Sequence, residues 1–136
     1  MVKLTGYKKV KTAVFISGTG SNLKSLIKFS KKRKSPISIN LIVSNSYKAK
    51  GLMFGKVNKI KKKVFNFKKK YKTENQLLSV LKEQEIKMIC LAGFMKILSR
   101  SFIIKFKGKI LNIHPSYLPK YKGLNTHQRA LDNKEK

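Results

Sequence analysis

Acidic side chains are scarce in this chain of 136 residues: Glu74, Glu83, Glu85, Asp132 and Glu135 stand against 33 lysines and arginines. A mechanism built on paired carboxylates has little material here. Cys90 is the one cysteine, which excludes an intrachain disulfide and a cysteine-built metal site. The two histidines, His114 and His127, exclude a multi-histidine site, so no metal is expected. Apolar runs are short, as in Ala13-Val14-Phe15-Ile16, whereas a membrane span needs about 20 residues. The basic N-terminus (Lys3, Lys8, Lys9, Lys11) is followed by no signal-peptide core or small-residue cleavage site. The expectation is a cytoplasmic protein without a membrane partner.

What is present fits one ordinary domain, long enough to bury a core. Hydrophobic residues make up 41% of the chain, which argues against global disorder. The net charge of +28 suggests nucleic acid at first sight. Two features argue otherwise. Only Arg33, Arg100 and Arg129 supply the guanidinium fork that base and phosphate readers favour, and the lysines are spread along the chain rather than gathered in a stripe. No specific nucleic-acid partner is expected, only weak polyanion association at low salt.

Residues 13–16 enter Ser17-Gly18-Thr19-Gly20-Ser21-Asn22, which reads as a buried strand followed by a tight glycine turn. Leu23, Leu26 and Ile27 then mark one face of a helix. Residues 37–43 read as a second strand, 51–60 as a helix and 64–67 as a third strand. Thr73 with Gln76 has the form of a capping box, opening a helix that carries Leu77, Leu78 and Leu81 on one side. Residues 88–91 read as a fourth strand, 99–105 as a short helix and 110–113 as a fifth strand running into His114-Pro115-Ser116. The lysine-rich stretches 31–34, 61–63 and 68–72 read as solvated connections. The alternation predicts the α/β class: an open, mostly parallel sheet flanked by helices. A single domain covers 1–136, with 1–11 as a basic lead-in.

Two segments carry chemistry. In a parallel sheet, ligands collect at the C-terminal ends of the strands. There the Gly18-x-Gly20-Ser21-Asn22 turn opens a helix whose free N–H groups suit a phosphate. It is neither a dinucleotide fingerprint nor a P-loop, because Leu23 replaces the third glycine and no Gly-Lys-Ser/Thr follows. A purely structural turn with Ser21 as cap fits the local sequence as well. In the fifth strand, Asn112 and His114 project to one side. An amide that can stabilise an oxyanion beside an imidazole that can move a proton suits acyl-type transfer. A hydrogen-bonded structural histidine fits those residues equally.

Three blocks in order resemble the glycinamide ribonucleotide formyltransferase family, the folate-dependent enzymes of purine synthesis. They are Ile16-Ser17-Gly18-Thr19-Gly20-Ser21-Asn22-Leu23, then Leu91-Ala92-Gly93-Phe94-Met95-Lys96-Ile97-Leu98-Ser99, then Leu111-Asn112-Ile113-His114-Pro115-Ser116-Tyr117-Leu118-Pro119-Lys120-Tyr121 with Gly123-Leu124-Asn125-Thr126-His127. Related formyltransferases share the Asn-x-His core. Pro115 after His114, and the later Gly-Leu-x-Thr-His, favour the glycinamide ribonucleotide branch over the methionyl-tRNA and hydrolase branches. The resemblance implies a Rossmann-like formyltransferase fold and formyl transfer from 10-formyltetrahydrofolate to the amine of glycinamide ribonucleotide, without a metal. It implies that Gly20, Ser21 and Asn22 hold the ribonucleotide phosphate. Met95, Lys96, Ile97 and Leu98 would line the pterin end of the folate, largely through backbone groups, with Lys96 where the family often has arginine. Asn112 would polarise the formyl oxygen, His114 would act as general acid/base, and the two would stabilise a tetrahedral intermediate. The family also uses an arginine ahead of Thr73; an ungapped count lands on Lys70, which stays outside this site set.

The resemblance also implies what this sequence lacks. Family members continue with an aspartate that orients the histidine, a loop over the folate, further strands and a final helix. Asp132 does not fall at that aspartate's place. Three accounts stand open: a truncated reading frame, a split enzyme completed by a C-terminal fragment, and a reduced domain without catalysis. Two rival functions remain beside the transferase: an inactive binding module for phosphorylated ligands built on the glycine turn, and a basic polyanion-binding protein.

Overall fold

The computed structural model of the chain describes residues 8–113. Ten elements follow one another: β1 (Val10–Ile16), α1 (Ser21–Ser30), β2 (Ile37–Ser44), a 3-10 turn (Lys50–Leu52), α2 (Met53–Asn58), β3 (Lys61–Val64), α3 (Lys70–Glu83), β4 (Met88–Ala92), α4 (Arg100–Lys105) and β5 (Lys109–Ile113). The five strands form one sheet in the order β3-β2-β1-β4-β5, and every pair is parallel.

Both faces of the sheet are covered, which is why its central strands read as unbroken apolar runs. On one face Ala13, Phe15, Ile89 and Leu91 pack with Leu77 and Leu81 of α3 and Phe102 of α4. On the other, Val14, Ile16, Ile42 and Cys90 pack with Leu23 and Ile27 of α1. The register of β1 on β2 shifts between Thr12 and Ala13, where Ile39 and Leu41 take successive partners and Asn40 is passed over. This bulge flips the pleat. Ile37 and Ile39 therefore share a face with Ile42, while Leu41 and Val43 face the opposite way. The switch from alternating to continuous apolar residues in this strand has that origin.

Four expectations need correction. Residues 61–63 are strand rather than connection: β3 pairs Lys61 to Val64 with Leu41 to Ser44, and its three lysines point to solvent. An edge strand needs only its backbone to pair, and exposed lysines there discourage further pairing. Of the expected strand 64–67 only Val64 belongs to β3; Phe65 gives one last N–H to the Ser44 carbonyl, and the side chains of Phe65 and Phe67 pack against the core on the α3 side. The third concerns α3, which begins at Lys70, inside the stretch read as a connection. Thr73 is not its cap, because the Thr73 hydroxyl donates to the Asn66 carbonyl at 2.6 Å. Residues 10 and 11 of the basic lead-in also belong to β1, since Val10 donates its N–H to the Pro36 carbonyl and pairs with Ile37. Lys9 closes the C-terminal end of α1 with its ammonium, on the carbonyls of Ser30 (2.7 Å) and Lys32 (2.9 Å).

Candidate functional site

The strand order places a topological switch point between β1 and β4: the chain winds one way from β1 to β2 and β3, and the other way from β4 to β5. Open parallel sheets bind ligands in the crevice beyond the strand ends at such a point. Two of the three resemblance blocks meet there. The Met95 N–H donates to the Ser17 hydroxyl at 2.8 Å, and that hydroxyl donates in turn to the side-chain oxygen of Asn45 after β2. Ser17 thus ties together the loops that follow β1, β2 and β4.

The turn after β1 is built by close backbone packing. Gly20 has φ of +78°, and a Cβ on it would lie 2.7 Å from the Gly51 Cα. A Cβ on Gly51 would strike the Ile16 side chain at 2.7 Å. The Gly51 N–H donates to the Gly18 carbonyl at 2.9 Å, which fixes the turn against the 3-10 segment. Ser21 is the first residue of α1 rather than its cap. Gly20 occupies the cap position and no side chain bonds the helix start. The first N–H groups of α1, at Ser21 and Asn22, have no partner within the helix. Phosphate fits that end in charge and in hydrogen-bonding capacity.

The loop after β4 is braced from four sides. Phe94 stacks edge-on against Phe15 at 5.3 Å and Phe67 at 5.6 Å between ring centres. Met95 hangs on Ser17, and the Leu98 side chain is buried in the core. Ser99 is held by Glu74: its N–H donates to Oε2 at 2.8 Å and its hydroxyl to Oε1. Between these anchors Met95 and Ile97 stand 77% and 74% exposed, which is unusual for large apolar side chains so firmly framed. Together with Lys96, Phe67 and Lys70 they line a cleft of about 270 Å3. Lys70, set aside in the sequence reading, therefore faces the 95–97 segment from α3. A larger depression of about 410 Å3 lies at the end of β3, between Phe65 and Lys72, and includes none of the expected site residues.

Asn112 sits in β5 beside Leu91 of β4. Its face of the strand is that of Ile110, which packs toward the α3 and α4 side. Its amide Nδ2 is buried and has no hydrogen-bond partner among the described residues. Buried amides are rarely left so, because an unmet donor costs about 1–3 kcal/mol. A donor in that state is suited to an oxygen supplied by a ligand. His114 and the remainder of the third block lie outside the described residues, as do His127 and Asp132. No group of three or more metal-ligating side chains exists among the described residues, and none of their helices is long and apolar enough to cross a membrane.

Sequence reasoning missed Ser17 and Glu74 as organisers of the site. Ser17 lay inside a motif read for its glycines. Glu74 carried a detectable signal, since it falls on the same helical stripe as Leu77 and Leu81, where an acid is out of place unless it is bound.

Known proteins share this sequence pattern and fold. Residues 10–136 match the family model described as formyl transferase. The phosphoribosylglycinamide formyltransferase of Haemophilus influenzae is 43% identical over 125 residues, covering 90% of this chain and 59% of that protein. The human trifunctional purine biosynthetic protein adenosine-3 is 43% identical over 128 residues, covering 92% of this chain and 13% of its own length. Among solved structures, the Brucella melitensis phosphoribosylglycinamide formyltransferase superposes with a TM-score of 0.77 at 41% identity, covering 93% of this chain and 67% of that one. The chain thus spans less than two thirds of the length of each of these two sequence relatives. With the matching fold, the matching blocks and a family model that spans nearly all of its residues, the chain belongs to the formyl transferase family.

Proposed function

We propose that this chain takes part in formyl transfer from 10-formyltetrahydrofolate to the amine of glycinamide ribonucleotide. The observation that carries the reading is the buried Nδ2 of Asn112, which has no hydrogen-bond partner among the described residues and sits near the end of β5, beside Leu91 of β4. Support also comes from the relatives named as phosphoribosylglycinamide formyltransferases.

In this reading the Gly20-Ser21-Asn22 turn holds the ribonucleotide phosphate at the start of α1. The cleft of Met95, Lys96 and Ile97 takes the flat pterin end of the folate. Leu98 contributes through its backbone alone, since its side chain belongs to the core. Lys70, across the cleft, adds a positive charge to the same site. The ribonucleotide amine attacks the formyl carbon, a new C–N bond forms and the carbonyl electron pair moves onto oxygen. Asn112 donates to that oxygen as its charge develops. The bond from carbon to the folate nitrogen then breaks as the oxygen's electron pair returns. The proton lost by the amine reaches that nitrogen, with His114 as the carrier.

The test is formyl transfer by the 136-residue chain, with each ligand's binding measured separately. Transfer that His114→Ala abolishes and Asn112→Ala cuts about 10²–10³-fold supports the reading. Ribonucleotide affinity indifferent to Ser21→Asp and Asn22→Ala overturns the phosphate assignment. Loss of all binding in about 0.2 M salt, whatever the mutation, favours a polyanion-binding protein instead.

A further inference from the structure

We infer that Glu74 is a positioning residue that sets the width of the cleft between α3 and the 95–98 loop; the role of that cleft in folate binding rests on the function proposed above. Glu74 is 2% exposed in a chain with five acids, and both its oxygens go to one residue, Ser99. It has no cation partner among the described residues, whose one ion pair joins Lys11 to Glu85. A buried carboxylate without a counter-charge is costly and is kept where its hydrogen bonds fix a geometry.

Capping α4 does not account for it. Ser99 performs that task with its own hydroxyl, which accepts from the Phe102 N–H at 3.0 Å. Glu74 adds a different connection. It lies four residues after Lys70, so the two occupy one face of α3. Lys70 lines one wall of the cleft and Met95 to Ile97 line the other. Ser99 ends the segment that carries the second wall. The carboxylate therefore joins the two walls at one end, as Ser17 anchors the segment at its other end through the Met95 N–H. Between the two anchors the exposed residues are left free to meet a ligand in a fixed conformation, which lowers the ordering cost of binding.

Glu74→Ala and Glu74→Gln in the full chain test this, with circular dichroism to verify folding. Amide hydrogen exchange reads the loop, and calorimetry reads 10-formyltetrahydrofolate and glycinamide ribonucleotide separately. In Glu74→Ala, exchange across residues 95–99 is expected to accelerate while β4 stays protected. Folate Kd is expected to rise about tenfold with ribonucleotide Kd within about twofold of wild type. Glu74→Gln, which keeps the shape and two polar atoms, restores most of the affinity. Unchanged loop exchange in Glu74→Ala overturns the inference, as does an equal loss of both ligands, which marks a general structural role. A wild-type chain that binds no folate overturns the functional reading, and the exchange arm still decides the clamp.

Discussion

Gly20 and Gly51 approach so closely that neither tolerates a methyl group. Gly20→Ala adds a Cβ to a left-handed residue and drives it into Gly51, so we expect a loss of about 2–3 kcal/mol in urea unfolding. The turn that opens α1 would shift with it. Cys90 illustrates the opposite relation between side chain and surroundings. It is 2% exposed in the centre of β4, and burial pushes its thiol pKa up. Reaction at this thiol is therefore hindered twice, by poor access and by a thiolate that burial disfavours. Alkylation by iodoacetamide at neutral pH, followed by mass spectrometry, is expected to label Cys90 only in denaturant.

Among the elements, α4 depends most on a single residue. Ser99 caps it and also satisfies Glu74, so Ser99→Ala removes the cap and leaves Oε1 of a buried carboxylate without its hydrogen bond, while the backbone N–H still meets Oε2. The expected loss is roughly 2–4 kcal/mol in chemical unfolding, with Ser99→Thr close to wild type. The turn between α3 and β4 is tied to β1 by the 2.8 Å pair of Lys11 and Glu85. The hydrogen bond and charge of Lys11 hold the Glu85 carboxyl below its ordinary pKa. A lowered pKa means stability that is present above the unfolded-state value and lost as pH falls through the folded-state value. Both groups are exposed, so Lys11→Ala should matter little at neutral pH, and the small difference should vanish in acid. These elements also show where sequence reasoning reaches. β1, β4 and the apolar half of β2 were legible because strands buried on both faces are apolar throughout. β3 was not, because backbone pairing at an edge leaves no trace in three lysines. The start of α3 was missed because the Thr73 hydroxyl had a nearer acceptor in the loop. At the site, the glycine turn and Asn112 were visible as residue types. Ser17 acts through partners 28 and 78 residues away and Glu74 through one 25 residues away; local pattern can mark Glu74 as an acid out of place on an apolar stripe, but it carries no record of which residue it meets.

For the whole molecule, charge is the dominant stress. A net charge of +28 with so few acids makes compaction work against self-repulsion. Raising sodium chloride from about 20 to 200 mM is expected to raise the melting temperature by roughly 4–6 °C, equivalent to about 1 kcal/mol, before any effect on ligands. The Lys11–Glu85 pair weakens over the same range, so the sign of the shift separates global repulsion from local pairing. The topology adds a kinetic consequence. β1 is the central strand, yet it finds β2 on one side and must wait for β4 on the other. During synthesis the ribosome delivers one of its most apolar segments first and that second neighbour only after α1, β2, α2, β3 and α3 have emerged. Parallel pairing offers no hairpin shortcut, so collapse must precede correct order. The newborn chain therefore spends several seconds, at typical rates of about 5–20 residues per second, with one flank of its central strand unpaired. That interval, rather than the finished fold, is when the molecule most needs a chaperone.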